Sequence, residues 1–242
     1  MADSICIIIP TYNNAGTVLD VIQSVVPFGL PVIVVNDGCT DATPQLLATR
    51  KDITVVDYGR NRGKGYALKA GFRKALQSGY DYAITIDSDG QHFASDIPAL
   101  LEAHAANPDA LIVGSRNLQS HNMPGKNTFA NKFSNFWFTL QTWQRLPDTQ
   151  TGYRLYPLRR LGSLKWLTSR YEAELEMLVS AAWRGVKLVP VKVQVYYPPQ
   201  GERVTHFRPF YDFARISLLN TVLCLLAVVY GYPMIILHKL FR

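Results

Sequence analysis

The chain has 242 residues, of which 48% are hydrophobic and 18% charged, and this composition excludes a disordered chain. The length suits one large α/β domain or a domain with an appendage. A formal net charge of +7 favours an anionic partner such as a nucleotide, a lipid phosphate or a membrane surface. Nucleic acid is not expected as a partner, because the basic residues are spread along the chain without a recognised nucleic-acid-binding motif.

Short apolar runs alternate with amphipathic stretches along most of the chain, a pattern typical of βα units on a mostly parallel sheet. The apolar run in MADSICIIIP is predicted to form the first core strand rather than a signal peptide. The predicted strands are Ile5–Ile9, Val32–Val35, Ile53–Val56, Tyr82–Ile86, Leu111–Val113 and Lys187–Val195. The predicted helices are Ala15–Val26, Thr43–Thr49, Lys64–Gln77, Asp96–Ala106 and Tyr171–Val179.

Polar residues follow each of the first four predicted strands. PTYNN comes after the first strand, NDGCTD after the second, GRNRGKG after the third and DSDGQH after the fourth. In open α/β sheets ligands bind at the carboxyl ends of the strands. The sequence therefore predicts one site that is assembled from four successive loops.

Two carboxylates stand at the end of the fourth apolar run, in YAITIDSDGQHF. Paired carboxylates at the end of a buried strand need a metal ion or a cluster of basic groups to offset their desolvation. With the side-chain oxygen of Gln91, Asp87 and Asp89 offer three oxygen ligands, a set that suits Mg²⁺ or Mn²⁺. These three residues are the predicted metal ligands.

The four loops differ from three common phosphate-site motifs. PTYNN has no glycine, so the G-x-G-x-x-G motif of a dinucleotide-binding domain does not occur after the first strand. A P-loop needs four residues between its first glycine and its Gly-Lys pair, whereas GRNRGKG has three. DSDG is similar to the nucleophile motif of haloacid-dehalogenase-type phosphatases, but it lies on the fourth strand rather than the first, so a magnesium-dependent phosphatase is retained only as an alternative.

The C-terminal part of the chain differs in composition. From Ile216 to Leu237 there is no charged residue, and as a helix this run is about 33 Å long, close to the thickness of a hydrocarbon core. A buried or interfacial helix is the alternative to a spanning one. The two prolines in YPPQG, residues 197–201, indicate a domain boundary. We therefore predict a catalytic domain at 1–200, a basic and aromatic interfacial segment at 201–215 and a membrane-associated helix at 216–242.

The three cysteines, Cys6, Cys39 and Cys224, lie far apart without the spacing of metal ligands. This pattern is typical of reduced thiols in a cytosolic compartment. Together with the apolar tail it predicts a membrane-associated protein whose catalytic domain is cytoplasmic.

Six motifs carry a resemblance to a known family. IIIPTYNNAGTV, VIVVNDGCTDAT, NRGKGYALKAGFRKA, ITIDSDGQH, VGSR and DTQTGYRLY occur in the order and spacing of the family 2 glycosyltransferases of GT-A fold. The branch that the sequence resembles is that of dolichyl-phosphate-mannose synthases. This resemblance implies a single Rossmann-like, mostly parallel sheet flanked by helices, an inverting and metal-dependent transfer, and a nucleotide-sugar donor carrying UDP or GDP.

The resemblance also assigns roles to residues. Pro10, Tyr12 and Asn14 would hold the base and ribose, Asp37 would bind the base, and the D-x-D-x-Q pattern makes Asp89 indispensable for catalysis through the metal. The remaining expected donor contacts are Lys64, Asp87, Ser88, Arg116 and Arg203. The branch usually has G-E-S-K where this chain reads G-E-R-V, so Arg203 is a substitution in that motif.

The acceptor follows from the absence of a recognisable base. Many family members that glycosylate sugars carry a Glu-Asp pair as general base, and this chain has none in the expected region. A phosphate monoester is already anionic near neutral pH and needs little help, which favours a polyprenyl-phosphate acceptor. If the acceptor is instead a neutral lipid hydroxyl or a glycan, Asp148 and Glu176 are the candidate bases. A protein that binds nucleotide sugars without turnover is a further alternative, disfavoured by the intact acidic motif.

Overall fold

The computed structural model describes residues 4–116, 125–162, 166–197 and 209–241. Its strands form one seven-stranded sheet in the order β3-β2-β1-β4-β6-β5-β7. The strands are β1 (Ile5–Thr11), β2 (Val32–Asn36), β3 (Thr54–Asp57), β4 (Tyr82–Thr85), β5 (Leu111–Arg116), β6 (Arg154–Pro157) and β7 (Leu188–Val193).

The helices connect the strands and cover both faces of the sheet. They are α1 (Val18–Val25), α2 (Thr43–Ala48), α3 (Lys64–Gln77), α4 (Ile97–Ala106), α5 (Gly125–Thr142), α6 (Leu158–Leu161), α7 (Glu172–Trp183), α8 (Pro209–Leu226) and α9 (Tyr232–Leu240). Short 3₁₀ turns occupy Val26–Phe28 and Ala94–Asp96, and a π-helical segment, Ala227–Gly231, joins α8 to α9.

The apolar core is divided between the two faces of the sheet. In β1, Ile7 and Ile9 belong to a cluster that includes residues of α1, α2 and α4. Cys6 and Ile8 point to the opposite cluster, with α3, α7 and the C-terminal helix. Because successive side chains of a strand face opposite sides, a strand buried on both faces reads as a continuous apolar run, as β1 does.

The predicted architecture, a mostly parallel sheet flanked by helices, is confirmed. Strands β3, β2, β1 and β4 are parallel, as are β5 and β7, whereas β6 lies antiparallel between β4 and β5. The sequence analysis did not predict β6, whose fully buried Arg154 interrupts the apolar pattern of a core strand. It also did not predict α5.

The C-terminal helix packs against the catalytic domain. It begins at Pro209 rather than at Ile216, and its π-helical segment keeps α8 and α9 in one continuous rod. Ala214–Leu240 has 27 residues with a mean hydropathy of 1.9, enough by length and composition to cross a membrane. The predicted boundary near residue 200 lies outside the described residues.

Candidate functional site

A cavity of about 550 Å³ lies at the carboxyl edge of the parallel strands. The loops after β1, β2, β3 and β4 all contribute to its wall, and two residues that precede α7, Arg170 and Tyr171, complete it. The predicted site residues that line it are Pro10, Tyr12, Asn14, Asp37, Lys64, Asp87, Ser88, Asp89 and Gln91.

Ser88 ties the first loop of the cavity to the fourth. Its hydroxyl donates a hydrogen bond to the backbone oxygen of Pro10 (3.1 Å) and accepts one from the side-chain amide of Asn14 (2.8 Å). The hydroxyl of Thr17 donates to the backbone oxygen of Ser88 (2.6 Å). These bonds fix the loop after β1 against the acidic loop after β4.

Asp37 organises the loop that follows β3. One oxygen of its buried carboxylate accepts hydrogen bonds from the hydroxyl of Tyr58 and the backbone N–H of Arg62, both at 2.7 Å. The other oxygen accepts from the side-chain amide of Asn61 (3.1 Å) and the backbone N–H of Gly63 (2.8 Å). Since a carboxylate accepts about four hydrogen bonds, this set occupies it fully.

The glycine after Asp37, Gly38, allows the loop that follows β3 to pack closely against the loop that follows β2. Gly38 has a φ of +68°, and a Cβ added there would lie 2.2 Å from the backbone carbon of Arg60. No side chain can occupy that position without moving the loop. The glycine in NDGCTD therefore brings the loops after β2 and β3 together at the cavity wall.

A partly buried ion-pair cluster links the acidic loop to α3 and α7. The ammonium of Lys64 lies 2.8 Å from a carboxylate oxygen of Asp87 and 3.0 Å from one of Glu174. Burial alone would raise the pKa of Asp87, but the Lys64 ammonium lowers it below its usual value. Gly152 packs against this pair so closely that an added Cβ would lie 2.6 Å from the Lys64 nitrogen and 2.7 Å from an Asp87 oxygen.

Asp89 lies in a less favourable environment than Asp87. Burial and the charge of Asp87 raise the pKa of Asp89 to about 6, although the backbone N–H of Gln91 donates a hydrogen bond to it (3.0 Å). A divalent cation would relieve this repulsion, and the oxygens of Asp87, Asp89 and Gln91 are the donor set such a cation prefers. Within the described residues, no group of three or more His, Cys, Asp or Glu side chains is arranged to hold a metal. A bound cation would therefore need the Gln91 amide or non-protein ligands beside the two carboxylates.

Asp148 and Arg116 form a separate ion pair that does not line the cavity. Arg116 Nε lies 2.6 Å from one Asp148 oxygen, and Arg116 Nη2 lies 3.0 Å from the other. Asp148 also accepts hydrogen bonds from the Asn131 side chain (2.6 Å) and the Gln150 backbone (3.0 Å). Although burial opposes ionisation, the Arg116 pair lowers the pKa of Asp148, so this carboxylate is poorly suited to accept a proton.

Glu176 is buried rather than solvent-facing, and it holds a loop. Its carboxylate accepts hydrogen bonds from the backbone N–H groups of Leu167 (2.7 Å) and Thr168 (2.9 Å) and from the Thr168 hydroxyl (2.5 Å). That loop leads directly to Arg170 and Tyr171 in the cavity wall. Glu176 itself does not line the cavity.

The predicted and the observed site residues do not coincide completely. Arg203 lies outside the described residues. Glu174, Arg170 and Tyr171 were not predicted as site residues, although all three fall in or directly before the predicted helix Tyr171–Val179. A glutamate within an apolar helical run is the signal that indicates Glu174, because a buried carboxylate requires a charged partner.

The profile of glycosyl transferase family 2 matches residues 6–160. The chain belongs to this family and is a glycosyltransferase. Glycosyltransferase AglJ of Haloferax volcanii is 30% identical over 219 residues, covering 89% of this chain and 70% of that relative. The undecaprenyl-phosphate mannosyltransferase of Micrococcus luteus is 29% identical over 208 residues, covering 81% and 84%.

A solved structure supports the fold of this glycosyltransferase. Glucosyl-3-phosphoglycerate synthase of Mycobacterium tuberculosis, crystallised with Mn²⁺, UDP-glucose and phosphoglyceric acid, aligns with a TM-score of 0.68 at 20% identity. The alignment covers 93% of this chain and 80% of that one. The predicted GT-A fold is thus confirmed, and the family assignment argues against the phosphatase alternative.

Proposed function

We propose that this glycosyltransferase moves a sugar, with inversion, from a UDP- or GDP-sugar to polyprenyl phosphate at a membrane surface. The observation that carries the proposal is the cavity in which Asp87 and Asp89 meet the loops that follow the first three strands. Its volume of about 550 Å³ lies in the range of small-molecule sites, which suits a nucleotide sugar. A relative supports the acceptor class, since it is an undecaprenyl-phosphate mannosyltransferase.

Asp87, Asp89 and Gln91 would hold Mg²⁺ or Mn²⁺ against the donor diphosphate. The ion would supply positive charge to the leaving nucleoside diphosphate as the sugar–phosphate bond breaks. Lys64 adds a second positive charge at the same place, and Asp87 and Glu174 keep its ammonium protonated by raising its pKa against the effect of burial. Pro10, Tyr12 and Asn14 would line the nucleoside side of the cavity.

The engagement of the candidate bases supports an anionic acceptor. Both oxygens of Asp148 are held by Arg116 and by further donors, and both oxygens of Glu176 are held by the loop at 167–168. Neither residue lines the cavity. A hydroxyl acceptor would need a base to remove its proton, whereas a phosphate monoester attacks as an anion near neutral pH.

Product analysis with the purified full-length protein in detergent tests this proposal. The protein is given UDP- and GDP-sugars in turn, with polyprenyl phosphate and Mn²⁺ or Mg²⁺. We expect one donor to yield a glycosylated lipid and an equal amount of nucleoside diphosphate, with a loss of at least about 100-fold in EDTA. Release of free sugar without any lipid product, or full activity in EDTA, would contradict the proposal.

A further inference from the structure

The rod formed by α8, the π-helical segment and α9 has two different faces. One face is buried against the catalytic domain, through Leu219, Leu223, Ala227 and Ile235. The other is an exposed apolar stripe whose members recur at intervals of three, four and seven residues, as one side of a helix requires. The exposed fractions of its side chains range from 40% to 79%. The stripe consists of Leu218, Val222, Leu225, Val229, Ile236 and Leu240.

The buried face is attached along the whole rod. At its beginning Arg215 pairs with Glu172 of α7 at 2.6 Å, and further along the buried side-chain amide of Gln141 in α5 donates to Asn220 at 3.0 Å. Near the end of the π-helical segment, Gly231 lies so close to Trp183 that an added Cβ would be 2.4 Å from the indole ring. The rod is therefore a component of the catalytic domain and not a separate anchor.

This attachment conflicts with a spanning orientation. A rod that crossed the hydrocarbon would carry α5 and α7 into it. Lys187, which lines a surface pocket with His238 and Lys239 near the end of the rod, would have to reach the far membrane face. Carrying charged groups through the bilayer costs several kcal/mol each. An orientation in the plane of the membrane leaves them in the headgroup region or in water.

The stripe continues onto α5. Phe136 and Leu140, four residues apart on α5, are 60% and 44% exposed, and Trp143, directly after the end of α5, is 51% exposed. Trp143 stacks on Tyr232 of α9 with ring centroids 4.2 Å apart, and the Tyr232 hydroxyl donates to the backbone oxygen of Leu140 at 2.6 Å. The exposed sides of the two helices thus form one apolar patch with aromatic residues at its edge.

We propose that this patch, the exposed stripe of α8 and α9 with the α5 side chains, lies in the plane of one leaflet of an anionic bilayer. The enzyme would then be monotopic, with both ends of the rod on the same side of the membrane. No acidic residue occurs between Ala214 and Phe241, Arg215 is paired with Glu172, and Lys239 stands near the end of the rod, so the patch carries no negative charge to repel anionic headgroups. A second copy of the chain would find no charge complementarity on the patch.

This orientation places the bilayer beside the cavity. Arg215 at the beginning of the rod pairs with Glu172, and the neighbouring Tyr171 lines the cavity wall. A lipid in the same leaflet could reach the site without leaving the membrane. The proposed topology itself follows from packing and exposure, and it stands whether or not the acceptor is polyprenyl phosphate.

Labelling with a membrane-impermeant maleimide tests the topology. Phe241→Cys reports the end of the rod, Lys51→Cys reports the catalytic domain, and the wild type, whose three cysteines are buried or half-buried, gives the background. We expect both variants to label equally in sealed membrane vesicles whose outer face carries the catalytic domain. Labelling of Phe241→Cys only after detergent is added would show a spanning helix and overturn the proposal.

Vesicle binding tests the patch independently of catalysis. The purified full-length protein is diluted from detergent into vesicles of phosphatidylcholine and phosphatidylglycerol and then floated. Val229→Asp, on the stripe, should lower the bound fraction at least about tenfold without changing the melting temperature. Val55→Asp, at an exposed apolar position on the edge strand β3, should bind as the wild type does. Equal binding of both variants, or no binding of the wild type, would overturn the proposal.

Discussion

At the scale of single residues, Asp89 carries a charge that its surroundings oppose. Burial and the neighbouring Asp87 raise its pKa to about 6, while Asp87 is stabilised by the Lys64 ammonium. Such a carboxylate gains most from a cation, because the cation removes both the desolvation and the repulsion.

Asp89→Asn should therefore separate stability from function. Removing a disfavoured charge should leave the melting temperature of the metal-free protein unchanged or higher. Binding of Mn²⁺ and glycosyl transfer should both fall at least about 100-fold, because the ion loses a charged ligand. Calorimetric titration with Mn²⁺ and a thermal melt measure the two effects, and Mn²⁺ binding equal to that of the wild type would refute the metal assignment.

Gly152 offers a second test in the same cluster. In Gly152→Ala the new Cβ would lie 2.6 Å from the Lys64 nitrogen and 2.7 Å from an Asp87 oxygen, so this pair must shift. We expect Mn²⁺ affinity to fall about tenfold, since ligands displaced by a fraction of an ångström bind metal less well. Gly16→Ala, in the loop after β1, is the matched control because nothing lies within 4 Å of its Cβ. Identical Mn²⁺ affinities for the two variants would argue against this packing.

At the scale of elements, Asp148 links three parts of the fold. It joins Arg116 at the end of β5 to Asn131 of α5 and to its own loop before β6. Asp148→Asn leaves the largely buried Arg116 without its counter-ion, and the free energy of unfolding should fall by about 3 kcal/mol. Urea denaturation measures this change. A catalytic base would give the opposite pattern, with unchanged stability and a fall in kcat of about 100-fold or more.

Local sequence patterns predicted some elements better than others. Helix α3 has the predicted bounds, Lys64–Gln77, because its apolar residues keep a helical period that a local pattern shows. Strand β6 escaped prediction because a fully buried arginine is unexpected in a core strand. The Arg154 guanidinium donates to the backbone oxygens of Thr149 and Glu174, outside its own strand, which a local pattern does not show. The polar side of α5 binds the loop before β6, so its apolar pattern is interrupted at the buried Asn131 and Ser134.

In the site, too, some features follow from local sequence patterns and others depend on tertiary contacts. That four loops meet at one edge follows from strand order, which a sequence pattern can indicate. The hydrogen bonds that hold Asp148 come from residues far away in the chain, Arg116 and Asn131. Those that hold Glu176 come from a loop at 167–168 whose course the sequence does not reveal. The sequence analysis named Glu176 and not Glu174, whereas in α7 it is Glu174 that reaches Lys64 beside the cavity and Glu176 that holds the loop at 167–168.

At the scale of the whole molecule, the C-terminal rod contributes to the stability of the enzyme. Its buried face covers part of the core cluster that contains Trp183 and residues of α7. A chain that ends at Asp212 should therefore leave an apolar surface uncovered, melt at a lower temperature and aggregate, rather than become a soluble enzyme. Size-exclusion chromatography and a thermal melt measure this outcome. A monomer with the melting temperature of the full chain would show that the rod is a dispensable anchor.

The central proposal, transfer to a phosphate, is tested most directly by a matched pair of acceptors. The full-length enzyme, supplied with its donor and Mn²⁺, is offered a polyprenyl phosphate and the polyprenol of the same chain length. Among the described residues that line the cavity, every carboxylate is either engaged in hydrogen bonds or a proposed metal ligand, so none is left to act as a base. We therefore expect product from the phosphate and at least about 100-fold less from the alcohol. Equal or faster transfer to the polyprenol would contradict the proposal and indicate a neutral lipid acceptor.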